Sequence, residues 1–231
     1  MITAAALCPA PPLLARELTG ADPVVPELRQ ACLDAGAALL RSQPGVVAVV
    51  GAAKPTRAWD GEARLDLSAY APGLTGPAGG PALPLPLGLG DRLLDQAGYC
   101  GPRLLHSVGD DEPAQTCAAL GAQLAAADAR VALLVMADGC ARRGIKAPGY
   151  LDERCADFDA EVERAVRSGE LGALLALDAE LARDLMATGR PAWQVLAGAL
   201  NGQRLTTDIR YSDDPFGVAY LVASLGDAAD H

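Results

Sequence analysis

The chain has only two histidines, His106 and His231, in 231 residues. A metal centre built on imidazole needs two or three of them converging on one ion. One inside an apolar run and one at the last position are not expected to meet. A Ser-His-Asp or Cys-His arrangement is equally short of material, and His106 reads as a core residue. Lysine is as scarce: Lys54 and Lys146 are the only two, and the other positive charges are arginines. Nineteen basic against 29 acidic residues leave a net charge of −10. Such a surface repels a phosphate backbone, which argues against nucleic acid as a partner. No apolar run reaches the roughly 18 residues that a membrane helix needs, so no membrane partner is expected. The first twelve residues carry no basic group ahead of their short apolar stretch, unlike a secretory leader. None of the six cysteines (8, 32, 100, 117, 140, 155) forms a C-x-x-C pair. They are expected as small buried apolar residues in a reducing cytoplasm rather than as a zinc or redox motif. No P-loop follows a strand, and Gly88-Leu89-Gly90 begins a G-x-G-x-x-G pattern that Leu93 ends. No period of 20–50 residues marks a repeat protein.

What is present points to an ordered α/β chain. Apolar residues make up 51% of the sequence, too many for bulk disorder. A length of 231 residues fits a single domain spanning 1–231. Short apolar runs at 2–7, 46–50, 103–108 and 131–137 lack alternation, as strands covered on both faces do. Helical spacing lies between them at 26–41, 112–127 and 151–166, the last from Leu151, Cys155, Phe158, Val162 and Val166. Strand alternating with helix predicts a three-layer α/β/α fold around a central, mainly parallel sheet. Two further strands, 204–211 and 217–224, joined by Ser212-Asp213-Asp214-Pro215, predict a C-terminal antiparallel hairpin. The segment 71–90, dense in proline and glycine, reads as a long loop or an insertion.

In open α/β sheets ligands bind beyond the C-terminal strand ends. Segments 8–13, 51–56, 107–112 and 138–149 fall there. The last holds Asp138, Cys140, Arg142, Arg143 and Lys146, a basic cluster in an acidic chain that precedes a helix expected to start near residue 150. Backbone N–H groups and three cations there predict a small anionic ligand. A cysteine beside two arginines makes Cys140 a candidate nucleophile, with a small residue in a tight turn as the plain alternative. Asp213 and Asp214 are a candidate acid–base or cation-holding pair, or simply a turn.

Five segments in a fixed order carry a family resemblance: Cys-Pro-Ala-Pro-Pro-Leu-Leu (8–14), Val-Val-Gly-Ala-Ala (49–53), Val-Met-Ala-Asp-Gly-Cys-Ala-Arg-Arg (135–143), the Trp193 helix (191–200) and Pro-Phe-Gly-Val-Ala-Tyr-Leu-Val-Ala (215–223). Over nearly its whole length the chain resembles the class III extradiol ring-cleavage dioxygenase fold, the LigB-like superfamily of catalytic chains. Within that superfamily it looks most like a group of short LigB-like proteins. The resemblance implies one ferrous ion held by two histidines and a glutamate, with another histidine as acid/base. The matching positions here are Ala10 for the first ligand, Ala52 or Ala53 for the second, and Arg142 for the acid/base. No Asp or Glu stands between Asp184 and Asp208, where the carboxylate ligand belongs. Alanine has no lone pair to give, and arginine carries a permanent cation that repels Fe²⁺. The expectation is therefore a cytoplasmic LigB-like chain without iron or dioxygenase activity. Its strand-end cleft, near Ala10, Ala52, Asp138, Cys140, Arg142, Arg143 and Lys146, would take a small anion. Two alternatives stand beside it: a metal-dependent dioxygenase with unusual ligands and Fe²⁺ as cofactor, or another enzyme class using Cys140 or Asp213/Asp214. A homodimer is an expectation from analogy.

Overall fold

The computed structural model describes residues 1–20, 24–71, 73–74, 81–203 and 206–226. The chain runs β1 (Ile2–Cys8), α1 (Arg16–Thr19), α2 (Pro26–Arg41), β2 (Val46–Ala52), β3 (Arg57–Trp59), β4 (Arg64–Leu65), β5 (Ala82–Leu83) and α3 (Leu85–Gln96). It continues β6 (Arg103–Val108), α4 (Ala114–Ala125), β7 (Val131–Met136), α5 (Arg154–Ser168), α6 (Ala179–Asp184), α7 (Arg190–Ala199), β8 (Thr206–Asp213) and β9 (Tyr220–Gly226). Seven strands form one sheet in the order β3-β6-β2-β7-β1-β9-β8. β6, β2, β7 and β1 are parallel, and β3, β9 and β8 each pair antiparallel with their neighbours. The expected three-layer α/β fold, mainly parallel sheet and C-terminal hairpin are all present.

The sequence of β7 shows why. Its six residues, Val-Ala-Leu-Leu-Val-Met, are all buried. Val131, Leu133 and Val135 join the core under α4, α5 and α7. Ala132, Leu134 and Met136 join the opposite core under α2 and α3. A strand that feeds two cores has no polar face to alternate, and each buried aliphatic side chain contributes about 1.5–3 kcal/mol.

Three expectations are corrected. Residues 71–90 are not one loop: Ala82–Leu83 pair with β4, and α3 begins at Leu85. Its proline lies in the first turn, where no N–H is needed. Its glycines let the helix approach the sheet. A Cβ at Gly90 would lie 2.6 Å from Val49 Cγ1 and 2.9 Å from Met136 Cγ. Residues 72 and 75–80 of that segment lie outside the described ones. Helix α5 starts at Arg154 rather than near 150, and Leu151 is exposed. The Asp152 carboxylate accepts the Arg154 N–H at 3.1 Å, so an Asx turn precedes the helix. The last strand begins at Tyr220 rather than 217, because Gly217 holds φ +72° in the connecting turn.

Candidate functional site

The parallel strands end together. Ala10 N–H donates to Asp138 Oδ1 at 2.8 Å, joining the segments after β1 and β7. Gly189 N–H donates to Asp138 O at 2.8 Å, and Gly139 N–H to Ala219 O at 2.9 Å. Asp138 is thus fixed on several sides at the middle of the sheet. Burial pushes its carboxyl up to about 6, against the opposing pull of the Ala10 N–H. Ala52 closes β2 in register with Val108. Beyond it Lys54 pairs with Asp110 at 2.8 Å and Asp111 at 3.1 Å. Arg190, 2% exposed, ties the same loop down through Asp110 O (2.7 Å) and Glu112 O (2.9 Å).

These residues do not fit the iron that the resemblance implies. Ala10 and Ala52 bring no donor atoms, and Asp138 Oδ1 already accepts a backbone N–H. Among the described residues no group of three His, Cys, Asp or Glu side chains converges as a metal-binding set. His106 is half-buried in β6, where burial lowers its pKa. His231 lies outside the described residues.

The cations of 142–146 are not gathered into an anion cradle. Arg143 Nε pairs with Asp214 Oδ2 at 2.8 Å, and its Nη1 lies 3.6 Å from Asp159 Oδ2. Arg142 donates to Asp184 O at 2.9 Å. Lys146 is exposed and has no ion-pair partner among the described residues. One N–H of the first turn of α5, that of Arg154, is already taken by Asp152, whose carboxyl Arg154 holds down at about 2. Cys140 is fully buried, and burial together with Asp159 and Cys155 pushes its thiol far up. A buried thiol beside a carboxylate is a poor nucleophile. Cys140 serves the structure through its backbone N–H, which donates to Asp159 Oδ1 at 3.0 Å.

What the strand ends do form is a cavity of about 260 Å³ between α5 and the β8–β9 hairpin. Asp159, Glu163, Asp213, Asp214, Arg143 and Trp193 line it. Four carboxylates face one guanidinium, and two of them already neutralise it. Burial raises the Asp159 pKa, while its bonds from Cys140 and the nearby Arg143 work the other way. Glu163 is lowered by the Ser212 hydroxyl and by Arg167. Asp213 accepts the Asp214 N–H at 2.8 Å, so the pair serves a turn and lines the cavity as well. The sequence reading found Arg143, Asp213 and Asp214 but missed Asp159, Glu163 and Ser212. A signal existed: Ala156, Asp159, Ala160 and Glu163 share one helical face, beside the apolar stripe of Cys155, Phe158 and Val162. Two alanines flanked by carboxylates leave room in front of the charges.

No protein-family model matches the chain, and no curated protein matches it. Its fold is similar to the crystal structure of an uncharacterised protein from Escherichia coli K12. The match covers 97% of this chain and 100% of that one, with 14% identity and a TM-score of 0.59.

Proposed function

We propose that this chain is a LigB-like protein that does not hold iron and uses the α5–hairpin cavity to bind a small ligand carrying positive charge. The observation that supports it is the cavity lining: four carboxylates against one lining arginine, with Glu163 also paired to Arg167 outside it and Asp213 without an ion-pair partner among the described residues. In this half-open recess an amine can make charge-assisted hydrogen bonds to several carboxylates at once. An anion would meet net repulsion there, so the anionic ligand expected from 142–146 is replaced by a cationic one. The side of Trp193 adds an apolar wall on which the carbon part of an organic amine can rest. The missing donors at Ala10 and Ala52 support the iron-free part of the reading.

Putrescine and agmatine, as probes, should raise the melting temperature and bind saturably in calorimetry, and Glu163→Gln should weaken binding at least tenfold. Inorganic phosphate and benzoate should not stabilise the protein. Stabilisation by those anions with none from the amines would overturn the cationic reading. Stoichiometric iron in protein purified without oxygen, with turnover of a catechol, would overturn the iron-free reading.

A further inference from the structure

Nine large apolar side chains are exposed among the described residues, and five of them sit on one group of loops: Ile145, Tyr150, Leu151, Met186 and Phe216. Scattered apolar residues on a surface need no explanation, but a cluster does. The three segments involved are stitched together by backbone bonds. Arg143 N–H donates to Gly217 O at 3.0 Å, Ala141 N–H to Leu185 O at 3.1 Å, and Gly149 N–H to Ala141 O at 2.9 Å. Close approaches complete the stitching. A Cβ at Gly217 would lie 2.5 Å from Ala147 Cβ, and one at Gly149 2.5 Å from Met186 Sδ. Ile145 is 67% and Tyr150 64% exposed on this fixed framework. Tyr150 and Met186 hold φ of +61° and +55°, a region L-residues rarely adopt. The chain therefore accepts strained backbone at two of the five residues.

Charge says what can cover the patch. Segments 142–154, 183–186 and 213–217 carry five basic and five acidic residues. This face is neutral, so the net −10 of the chain lies elsewhere. Taken together, the rest of the chain carries the excess negative charge, so two copies repel less through this face than through the average of the others. Within it Arg142, Lys146, Arg183, Glu153 and Asp213 have no ion-pair partner among the described residues. A two-fold contact through this face allows one copy's unpaired cations to meet the other's unpaired carboxylates. We infer that this neutral apolar face is where a second copy of the chain docks, forming a two-fold dimer. Arg143 and Asp214 also line the cavity, so the contact would border its mouth.

Sedimentation equilibrium over a range of concentrations tests this. The wild type should reach twice the 23.6 kDa chain mass. Ile145→Glu and, separately, Phe216→Asp should each weaken dimerisation at least tenfold while keeping the wild-type circular dichroism spectrum. A wild type that stays at the chain mass up to about 100 µM would overturn the inference. So would a folded Ile145→Glu or Phe216→Asp protein that dimerises undiminished. A monomer that instead binds neutral phosphatidylcholine vesicles would also overturn it, assigning the patch to a lipid surface.

Discussion

Asp138 shows how one residue's surroundings set its behaviour. Its carboxyl sits at about 6 because burial disfavours the charge. The native state therefore binds that proton more tightly than the unfolded chain does. The stability it contributes is full below about pH 4 and is lost as pH rises through about 6. Asp138→Asn keeps an acceptor for the Ala10 N–H and removes the charge. It should be more stable than the wild type at about pH 8, by on the order of 2–3 kcal/mol, and nearly equal to it near pH 4. Melting curves of both proteins across that range check this, and a difference that does not vary with pH would refute it. The cysteines differ in the same local way. Cys100 is exposed and the other five are buried. A thiol reagent under native conditions should label Cys100 rapidly and the others, Cys140 included, only on unfolding. Peptide mapping after a short pulse reads the outcome, and fast labelling of Cys140 would restore the nucleophile reading.

At the scale of elements, glycine decides how closely helices approach. Gly121 of α4 faces the Val195 carbonyl of α7, and Gly198 of α7 faces the Ala118 carbonyl of α4. A methyl group at either position collides with backbone, which cannot move as a side chain can. Gly198→Ala should cost about 1–3 kcal/mol despite its better helix propensity. In a chain of this size each kcal/mol lowers the melting temperature by roughly 2–4 °C. A variant that melts at or above the wild type would refute the contact. The same effect explains why α3 was illegible. Gly88 and Gly90 signal a turn in sequence, yet they are the residues that let α3 lie against Leu65, Val49 and Met136. Helix α2 was legible over its full span, because Leu28, Ala31, Cys32, Ala35 and Leu39 repeat the helical period on a single buried face.

For the whole molecule, the net charge of −10 is a uniform self-repulsion that salt weakens. Raising ionic strength from ~10 mM to ~150 mM shortens the screening length from ~30 Å to ~8 Å. The melting temperature should rise over that interval. A fall would show that the exposed ion pairs, such as Lys54 with Asp110 and Asp111, outweigh the repulsion. Most strands of the sheet were legible, either as unbroken apolar runs or as the closing pair of segments. The edge strand β3 was not, since three residues with two exposed carry no pattern.

The order of residues alone determined the layered α/β architecture and the hairpin, and placed alanine, which has no donor atom in its side chain, at positions 10 and 52. Those follow from local period, from burial of apolar runs and from which atoms a side chain possesses. Tertiary structure decided the sign of the cavity. Arg143 looked like a free cation beside Arg142 and Lys146 until folding brought Asp159 and Asp214, 16 and 71 positions away, within ion-pair distance of it. A charge's effect depends on its neighbours in space, and in this cleft those neighbours come from segments far apart in the chain.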